Sequence, residues 1–286
     1  MEKNYNVEVT PDAHLELDLG LDSLDIVEIL SFIEMSFGIK ITEEEFTDIK
    51  NVLDMAKFVK ERGGEFSDNE VDWKTILSQD TNIELPKSAW VGKLIRFIFK
   101  PFFSIYFSLK KEGQDKILSE PAIYVGNHQS FLDALIFNQA ISSAKMGDTY
   151  YLGTIVHFGT PLRKYLAERG NVLIIDINKN LKETLQVSAK VLKEGKNLVI
   201  FPEGARTRDG EIQDFKKTFA ILSKELNIPV VPFGIKGAYE AMPYGQRIPS
   251  MSPITIKFFD KVMPEGLTVE EIVEKSKDEI ELWLIK

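Results

Sequence analysis

The first sixty residues contain two stretches in which apolar side chains recur at helical spacing. In the first stretch, the residues on one helical face are Ile26, Leu30, Ile33 and Phe37. This pattern predicts an amphipathic helix that stops at Gly38. The second stretch, residues 52–59, predicts another helix, capped by Asn51 and ended by the glycines at 63 and 64. A small all-α bundle is therefore predicted here.

From residue 122 onward, short apolar segments alternate with amphipathic ones. The segments that predict strands are AIYVG, NVLII, NLVIF, PVVPFGI and ITIKFF. Helices are predicted to begin at Ser130 and Leu181 and to surround Phe215. A capping box of Thr268 and Glu271 predicts the start of a final helix. Alternation of this kind predicts an α/β domain with a mostly parallel or mixed sheet flanked by helices.

Charge divides the chain at the same place as the hydrophobic pattern. Residues 1–66 contain 16 acidic and 6 basic side chains, whereas the remainder contains 28 and 29. Such a charge asymmetry is typical of separate domains. An acidic domain is expected to bind basic protein partners, and nucleic acid is disfavoured as a partner. We therefore predict a first domain at residues 1–64, a linker at 65–88 and a larger domain at 89–286.

Composition disfavours several kinds of site. The chain of 286 residues has no cysteine, and His14, His128 and His157 are far apart in sequence. Neither a disulfide framework nor a metal site is expected. The sequence has no signal-type segment and no uncharged apolar run of 18 residues, so neither secretion nor a membrane span is predicted. The expected compartment is the cytoplasm.

Ser23, in the segment GLDSLDIVEI, stands at the start of the first predicted helix. Serine is a good N-cap, so one interpretation gives this residue no further role. In the other interpretation its hydroxyl carries a group, because a phosphodiester is stabilised by the N–H groups and the dipole at a helix amino end. Residues 15–46 resemble the acyl and peptidyl carrier protein family over nearly their whole length.

This resemblance implies a covalent 4′-phosphopantetheine on Ser23, whose thiol carries an acyl chain, and a phosphopantetheinyl transferase as partner. Only MEKNYNVEVT precedes the loop where the family has its first helix, so that helix is expected to be missing from the bundle. The chain is accordingly expected to be part of a longer protein. An upstream acyl-adenylating ligase domain is among the implied partners.

The segment GNHQSFLDA follows a predicted strand and places His128 and Asp133 five residues apart. Ser130 and Asp133 are also spaced as an N-cap and the third residue of a helix. In one interpretation, therefore, Asp133 only stabilises the start of the helix. The alternative is catalytic. A carboxylate at this position reaches the histidine, fixes its tautomer and leaves the other ring nitrogen as a general base for an alcohol.

A second loop, FPEGARTRDG, also follows a predicted strand and contains two arginines. Arg206 and Arg208 are either solvated residues beside an ordinary Asp-Gly turn or ligands for phosphate, which guanidinium groups fit well. Gly204 would allow backbone to approach a ligand closely. Because both loops leave strands at the carboxyl edge of an α/β sheet, they are predicted to converge.

In order along the chain, NHQSFLD, GNVLIID, FPEGARTRDG and IPVVPFGI resemble the four sequence blocks of the glycerophosphate acyltransferase family. The resemblance implies acyl transfer from a thioester to a hydroxyl of a glycerophosphate-type acceptor, with His128 and Asp133 as the catalytic pair. The residues assigned to acceptor and phosphate binding are Glu203, Gly204, Arg206, Arg208 and Lys179. The second block departs from the family, because Ile177 stands where an arginine usually follows Asp176.

Residues 90–111, WVGKLIRFIFKPFFSIYFSLKK, form the most apolar stretch. Lys93, Arg96 and Lys100 fall on one stripe of the predicted helix, and Pro101 is expected to break or kink it. The helix either packs in the core or lies in a membrane interface with its basic residues at anionic headgroups. The second interpretation predicts a cytoplasmic, peripheral protein on the inner face of the membrane.

Together these features predict an O-acyltransferase of the 1-acylglycerol-3-phosphate type in phospholipid synthesis. Its donor would be an acyl carrier or acyl-CoA thioester, and its acceptor a lysophospholipid. Two alternatives stay open: another lysolipid or an amino-lipid as acceptor, and a non-catalytic protein that binds lipid or acyl carrier. Acyl chain length, and delivery of the acyl group in cis or in trans, are not determined by the sequence.

Overall fold

The computed structural model describes residues 9–21, 23–41, 43–46, 48–63, 66, 73–79, 84–86, 89–154, 160–175 and 181–285, with the main chain alone at 23, 43, 44, 154 and 175. The chain divides into two units, residues 1–80 with 176–186 and residues 81–175 with 187–286. The first four helices belong to the smaller unit, and the sheet belongs to the larger one.

The described helices that begin before residue 80 are α1 (Ser23–Phe37), α2 (Glu43–Phe46), α3 (Val52–Arg62) and α4 (Trp73–Ser78). Residues 9–21 form turns, and a backbone bridge joins His14 to Asn51. The helical carrier region expected from the sequence is thus present. α4 lies within the span that the sequence assigned to the linker, and the predicted domain boundaries remain a prediction.

The ends of α1 and α3 follow from their capping residues. Gly38, at φ 67°, follows the last residue of α1. At α3, Asn51 Oδ1 accepts a hydrogen bond from the Asp54 N–H at 2.8 Å, and Gly63 ends the helix in the left-handed conformation. These predicted boundaries are confirmed. The buried core of this unit consists of Leu15, Leu30, Ile33, Ile39, Ile41, Phe46 and Ile49.

The larger unit is organised around a mixed sheet. Its described strands are β1 (Lys110–Glu112), β2 (Ile123–Gly126), β3 (Thr149–Thr154), β4 (Val172–Ile175), β5 (Asn197–Ile200), β6 (Val230–Lys236) and β7 (Thr255–Phe258). Their spatial order is β1-β7-β6-β2-β5-β3-β4, and the pair β6–β7 is antiparallel while the others are parallel. The predicted fold class is confirmed.

All five predicted strands are present, and the prediction missed β1 and β3. β1 is the tripeptide KKE at the edge of the sheet, where two of its three residues are exposed. A strand of this kind has no apolar pattern to detect, because only its backbone joins the sheet. β3, with the sequence TYYLGT, pairs with both β4 and β5.

The helices after residue 89 are α5 (Trp90–Ile105), α6 (Asp133–Ala140), α7 (Pro161–Glu168), α8 (Leu181–Lys193), α9 (Thr218–Leu226), α10 (Ala238–Ala241) and α11 (Val269–Ile285). The capping box before α11 is confirmed, because the Thr268 N–H donates to Glu271 Oε2 at 2.7 Å and the Glu271 N–H donates to Thr268 Oγ1 at 3.1 Å. The sequence predicted a helix around Phe215, whereas α9 begins a few residues later, at Thr218.

The two predicted site loops leave the sheet side by side. β2 lies between β5 and β6, and all four of its residues are buried. Val125 of β2 is in register with Ile200 of β5, and the two strands are parallel. Their carboxyl ends therefore open onto the same edge of the sheet, and the loops that follow lie next to each other, as predicted.

Two features of α5 bear on its prediction. Of the break or kink expected at Pro101, a break does not occur, because the helix continues through this residue to Ile105. Arg96 does not belong to an outward-facing basic stripe: its Nη1 donates to the carbonyls of Asn138, at 3.3 Å, and of Ile141. Burial lowers the pKa of the Arg96 guanidinium, and this side chain caps the end of α6.

Only Val91, Gly92 and Phe103 of α5 are buried. Large apolar side chains on its other faces are exposed: Trp90, Leu94, Phe97, Ile98, Phe99, Phe102 and Ile105. Within the described residues, no helix is both long enough and apolar enough to cross a bilayer.

Candidate active site

His128 and Asp133 form a hydrogen-bonded pair in the loop after β2. His128 Nδ1 lies 2.9 Å from Asp133 Oδ2, and the aspartate side chain is fully buried. Because a carboxylate acceptor faces Nδ1, the ring proton is assigned to that nitrogen, and Nε2 is left as the basic one. The histidine side chain is 25% exposed, so a ligand has access to the ring.

The backbone also holds Asp133 in place. Oδ2 accepts hydrogen bonds from the N–H groups of Gln129, at 2.7 Å, and Ser130, at 2.8 Å. The other carboxylate oxygen, Oδ1, is buried and has no hydrogen-bond partner in the part of the chain that the structure describes. Three donors on one oxygen fix the carboxylate, and with it the histidine ring.

The predicted start of α6 at Ser130 needs correction. α6 begins at Asp133 and not at Ser130, and residues 131–132 form a turn. The Ser130 hydroxyl donates to the carbonyl of Met242 at 2.9 Å and accepts from the Leu132 N–H at 3.3 Å. The aspartate does accept from the Ser130 N–H, as a capping box requires, and it binds His128 with the same oxygen.

Glu203 joins the two loops. Its Oε1 accepts from the His128 N–H at 2.6 Å, and its Oε2 accepts from the Gln213 N–H at 2.9 Å. Burial raises the pKa of the Glu203 carboxyl to about 7, against the opposing effect of these two backbone hydrogen bonds. Both oxygens are thus engaged by backbone, an arrangement that braces the loop of the histidine against the loop after β5.

Aromatic and backbone contacts complete this junction. The Phe201 ring stacks on the His128 ring, with centroids 4.5 Å apart and planes 20° apart. The Thr207 N–H donates to the His128 carbonyl at 2.9 Å. Gly204 has φ 76°, and the Lys216 side chain packs against it. A Cβ at position 204 would lie 3.1 Å from Lys216 Nζ. The predicted convergence of the two loops is therefore a set of direct contacts.

Beside this junction lies an open groove of about 550 Å³, which we call the arginine groove. The residues lining it that matter here are Phe131, Arg163, Arg206, Met242, Tyr244 and Arg247. The Arg206 guanidinium carbon lies 5.0 Å from the centre of the Tyr244 ring and 5.9 Å from that of Phe131. Arg208 approaches the same tyrosine at 5.5 Å. Cations and aromatic faces thus alternate along one wall.

Comparison with known proteins identifies both parts of the chain. A family model described as Acyltransferase matches residues 108–236, and one described as Phosphopantetheine attachment site matches residues 4–59. The acyl carrier protein of Helicobacter pylori is 44% identical over 55 residues, which cover 19% of this chain and 70% of that protein. Residues 4–59 therefore belong to the acyl carrier protein family, and residues 108–236 match the model of the acyltransferase family.

The larger unit is similar to lipid acyltransferases. A 1-acyl-sn-glycerol-3-phosphate acyltransferase of Limnanthes douglasii is 29% identical over 158 residues, which cover 53% of each chain. The chain thus spans about half the length of the curated acyltransferases that it matches. The 1-acyl-sn-glycerophosphate (LPA) acyltransferase PlsC of Thermotoga maritima has the same fold, with a TM-score of 0.58, 24% identity and coverage of 68% of this chain and 79% of that one.

Of the predicted site residues, the structure describes Ser23 only in part and Lys179 not at all. α1 begins at Ser23, so the serine stands at a helix amino end, but its side chain lies outside the described residues. Lys179 lies outside them as well. No group of three His, Cys, Asp or Glu side chains that could hold a metal ion occurs in the ranges that the structure describes.

Several residues at the candidate site were not predicted from the sequence. Phe201 could have been noticed, since it is the aromatic residue at the end of a strand that leads into a predicted site loop. Arg163 and Arg247 carried no such signal, because Arg163 lies 29 residues after the segment GNHQSFLDA and Arg247 lies 37 residues after FPEGARTRDG. Only the folded chain brings them to the arginine groove.

Proposed function

We propose that the chain transfers an acyl group from a thioester to a hydroxyl of a phosphate-bearing lysophospholipid, as in 1-acylglycerol-3-phosphate acylation. The observation that carries this proposal is the hydrogen bond of 2.9 Å between His128 and Asp133 at the open carboxyl edge of the sheet. It is supported by similarity to enzymes named 1-acyl-sn-glycerol-3-phosphate acyltransferases. A non-catalytic lipid-binding role would leave the exposed, oriented imidazole without a use.

In this mechanism, His128 Nε2 removes the proton of the acceptor hydroxyl while Nδ1–H donates to Asp133. The acceptor oxygen then forms a bond to the thioester carbonyl carbon, and the carbon–sulfur bond breaks. The sulfur leaves as a thiolate and takes the proton back from His128. The products are an ester and a free thiol, so atoms and charge balance.

The carrier domain would present the acyl group on Ser23. When bound there, 4′-phosphopantetheine supplies a thiol on a flexible arm. The residues present fit this group, because Ser23 is the first residue of a helix of 15 residues, whose dipole stabilises a phosphodiester at that end. Acyl-CoA is the other donor that offers the same thioester chemistry.

Transfer is tested by incubating the protein with acyl-CoA or acyl carrier thioester and a panel of lysolipids. Thiol release is followed spectroscopically, and the lipid products are identified by mass spectrometry. We expect thiol and acylated lysophosphatidate to appear in equal amounts. Binding of lipid without thiol release would support the alternative of a non-catalytic lipid-binding protein. Preferential acylation of an amino-lipid would support the alternative of an amino-lipid acceptor.

The role of Ser23 is tested by mass spectrometry after incubation with coenzyme A and a phosphopantetheinyl transferase. We expect one 4′-phosphopantetheine on the wild type and none on Ser23→Ala. Circular dichroism of both proteins serves as the control, because a change of helix content would make the two incomparable. An adduct on Ser23→Ala, or none on a helical wild type, contradicts the assignment.

We also propose that the protein lies on the inner surface of the membrane through α5. This is supported by the exposed apolar side chains on that helix, among them Phe97 at 80% and Ile105 at 79% exposure, next to exposed Lys93 and Lys100. Reversing Lys93 and Lys100 to glutamate should release the protein from phosphatidylglycerol vesicles in flotation. Arg96 is left unchanged, since it caps α6.

A further inference from the structure

The arginine groove concentrates positive charge that the protein itself does not neutralise. Arg163 comes from α7, Arg206 from the loop after β5 and Arg247 from the loop after α10. Among the described residues, none of these three guanidinium groups has a carboxylate within 4 Å. Three like charges around one cavity repel one another, and a bound anion relieves that repulsion.

The groove adjoins the catalytic pair through short backbone links. The Thr207 N–H, one residue after Arg206, donates to the His128 carbonyl at 2.9 Å. The Ser130 hydroxyl, one residue before Phe131, donates to the Met242 carbonyl at 2.9 Å. Two walls of the groove are therefore fixed to the loop that holds the imidazole. An anion bound in the groove would therefore lie beside the loop that holds the imidazole.

The segment that carries Arg247 is held by its own hydrogen bonds. The Gln246 N–H donates to the Pro243 carbonyl at 3.1 Å, and the Ser250 N–H donates to the Ala241 carbonyl at 2.7 Å. The Tyr106 hydroxyl donates to the Pro249 carbonyl at 3.0 Å. Because these hydrogen bonds already order the backbone around Arg247, little backbone entropy is lost when a ligand binds to this residue.

Phosphate is the anion that this arrangement fits best. Guanidinium groups form paired hydrogen bonds to phosphate oxygens, and several of them from different directions suit a phosphomonoester, which exposes three terminal oxygens. Phe131, Met242 and Tyr244 supply apolar surface for the carbon skeleton attached to it. The cavity of about 550 Å³ is within the range of ligand pockets.

We infer that Arg163 and Arg247 act with Arg206 to bind the phosphomonoester of the acceptor, so that the groove selects phosphate-bearing acceptors over uncharged ones with the same hydroxyl. This inference rests on the proposed function, because the acceptor is a substrate of the same site. It assigns binding roles to two residues that lie in neither of the two site loops. It also ties acceptor choice to charge and not to acyl chain length.

The first test compares 1-acylglycerol 3-phosphate with 1-acylglycerol as acceptors, since the two differ only in the phosphate. In Arg163→Gln and in Arg247→Gln, the ratio of kcat/KM for the phosphate-bearing acceptor to that for the uncharged one should fall about tenfold or more, because a charge-assisted hydrogen bond is lost. The fall should arise mainly in KM. An unchanged ratio in both variants overturns the inference.

Lys164→Gln is the matched control. It removes a positive charge from the same helix, α7, at a side chain that is 62% exposed and does not line the groove. Its acceptor ratio should equal that of the wild type. A fall as large as that of Arg163→Gln would mean that general surface charge, and not the groove, selects the acceptor.

A second measurement needs no turnover and uses glycerol 3-phosphate in isothermal titration calorimetry. Its affinity should fall about tenfold in both arginine variants and stay constant in Lys164→Gln. Binding that depends on these arginines in a protein that transfers no acyl group contradicts the proposed function and supports the inference. No binding to the wild type at millimolar concentration overturns the inference.

Vesicles of phosphatidylglycerol separate the acceptor from a bilayer headgroup as the source of the phosphate. If Arg163→Gln and Arg247→Gln keep the wild-type affinity for glycerol 3-phosphate but no longer float with vesicles, these arginines contact the membrane surface and the inference is wrong. Flotation equal to that of the wild type, together with weakened glycerol 3-phosphate binding, supports it.

Discussion

The two halves of the candidate active site differ in how their charged groups are satisfied. Around His128, both carboxylates are held by hydrogen bonds within the protein: Asp133 Oδ2 accepts three, and both oxygens of Glu203 accept backbone N–H groups. In the arginine groove, by contrast, the guanidinium groups face solvent without carboxylate partners in the described residues. The first half is held in place without substrate, whereas the second half carries positive charge that a bound anion would neutralise.

This difference separates preorganisation from recognition. A general base must have its orientation and tautomer set before the reaction, and buried hydrogen bonds achieve this in a low dielectric. A binding site for a charged acceptor benefits from exposed charge, which attracts the ligand and is neutralised by it. Substitutions in the first half should therefore reduce kcat, and changes in the second should act on KM.

The largest expected effect is that of His128→Ala. Loss of the general base should reduce kcat by roughly 10²- to 10⁴-fold with little change in acceptor KM. Steady-state thiol release measures both constants, and circular dichroism confirms that the variant is folded. Undiminished turnover in a folded variant would rule out the proposed mechanism.

Asp133→Asn should also reduce kcat, by a smaller factor. The amide oxygen can still accept from the Gln129 and Ser130 N–H groups, but the Nδ1 proton of His128 loses its carboxylate. Because the two residues act as a unit, the double variant with His128→Ala should be no slower than His128→Ala alone. Additive losses would show that Asp133 acts independently of the histidine.

Glu203→Gln should change the pH dependence of stability. The pKa of this carboxyl is raised from 4.5 to about 7 in the folded protein. The folded state therefore binds more protons, so the contribution of Glu203 is fully present below pH 4.5 and is lost as pH rises through 7. The wild type should lose about 3 kcal/mol over that interval relative to the variant.

Denaturant unfolding of both proteins at pH 4.5, 5.5, 6.5 and 7.5 measures this difference. Parallel pH profiles would mean that the Glu203 carboxyl titrates near its ordinary value. The same variant also tests the comparison between the two halves. If Glu203 braces the histidine loop, kcat falls more than acceptor KM rises, whereas direct acceptor contact would give the reverse.

The smallest expected effect is that of salt on the wild type. Raising ionic strength from about 0.05 M to 0.5 M should increase the KM for a phosphate-bearing acceptor several-fold, because exposed guanidinium groups are screened. kcat should change little, since Asp133, which orients His128, is fully buried and shielded from ions. A fall in kcat with constant KM would reverse the proposed division of roles.

Much of the fold could be predicted because the responsible signals are local. The five predicted strands are apolar runs, and the ends of α3 and the start of α11 are set by residues within four positions of the helix ends. β1 could not be predicted, since its three polar residues join the sheet through backbone alone. The start of α6 was placed early because residues 131–132 form a turn, so that the helix begins only at Asp133.

The sequence by itself determined the carrier motif around Ser23, the spacing of His128 and Asp133, and the two loops that follow parallel strands. These depend on residues a few positions apart, so chain geometry brings them together in almost any packing. Tertiary structure decided that Arg96 caps α6 and that Arg163 and Arg247 share a groove with Arg206. Such contacts join segments tens of residues apart, and they exist only because the sheet and its helices pack in one order.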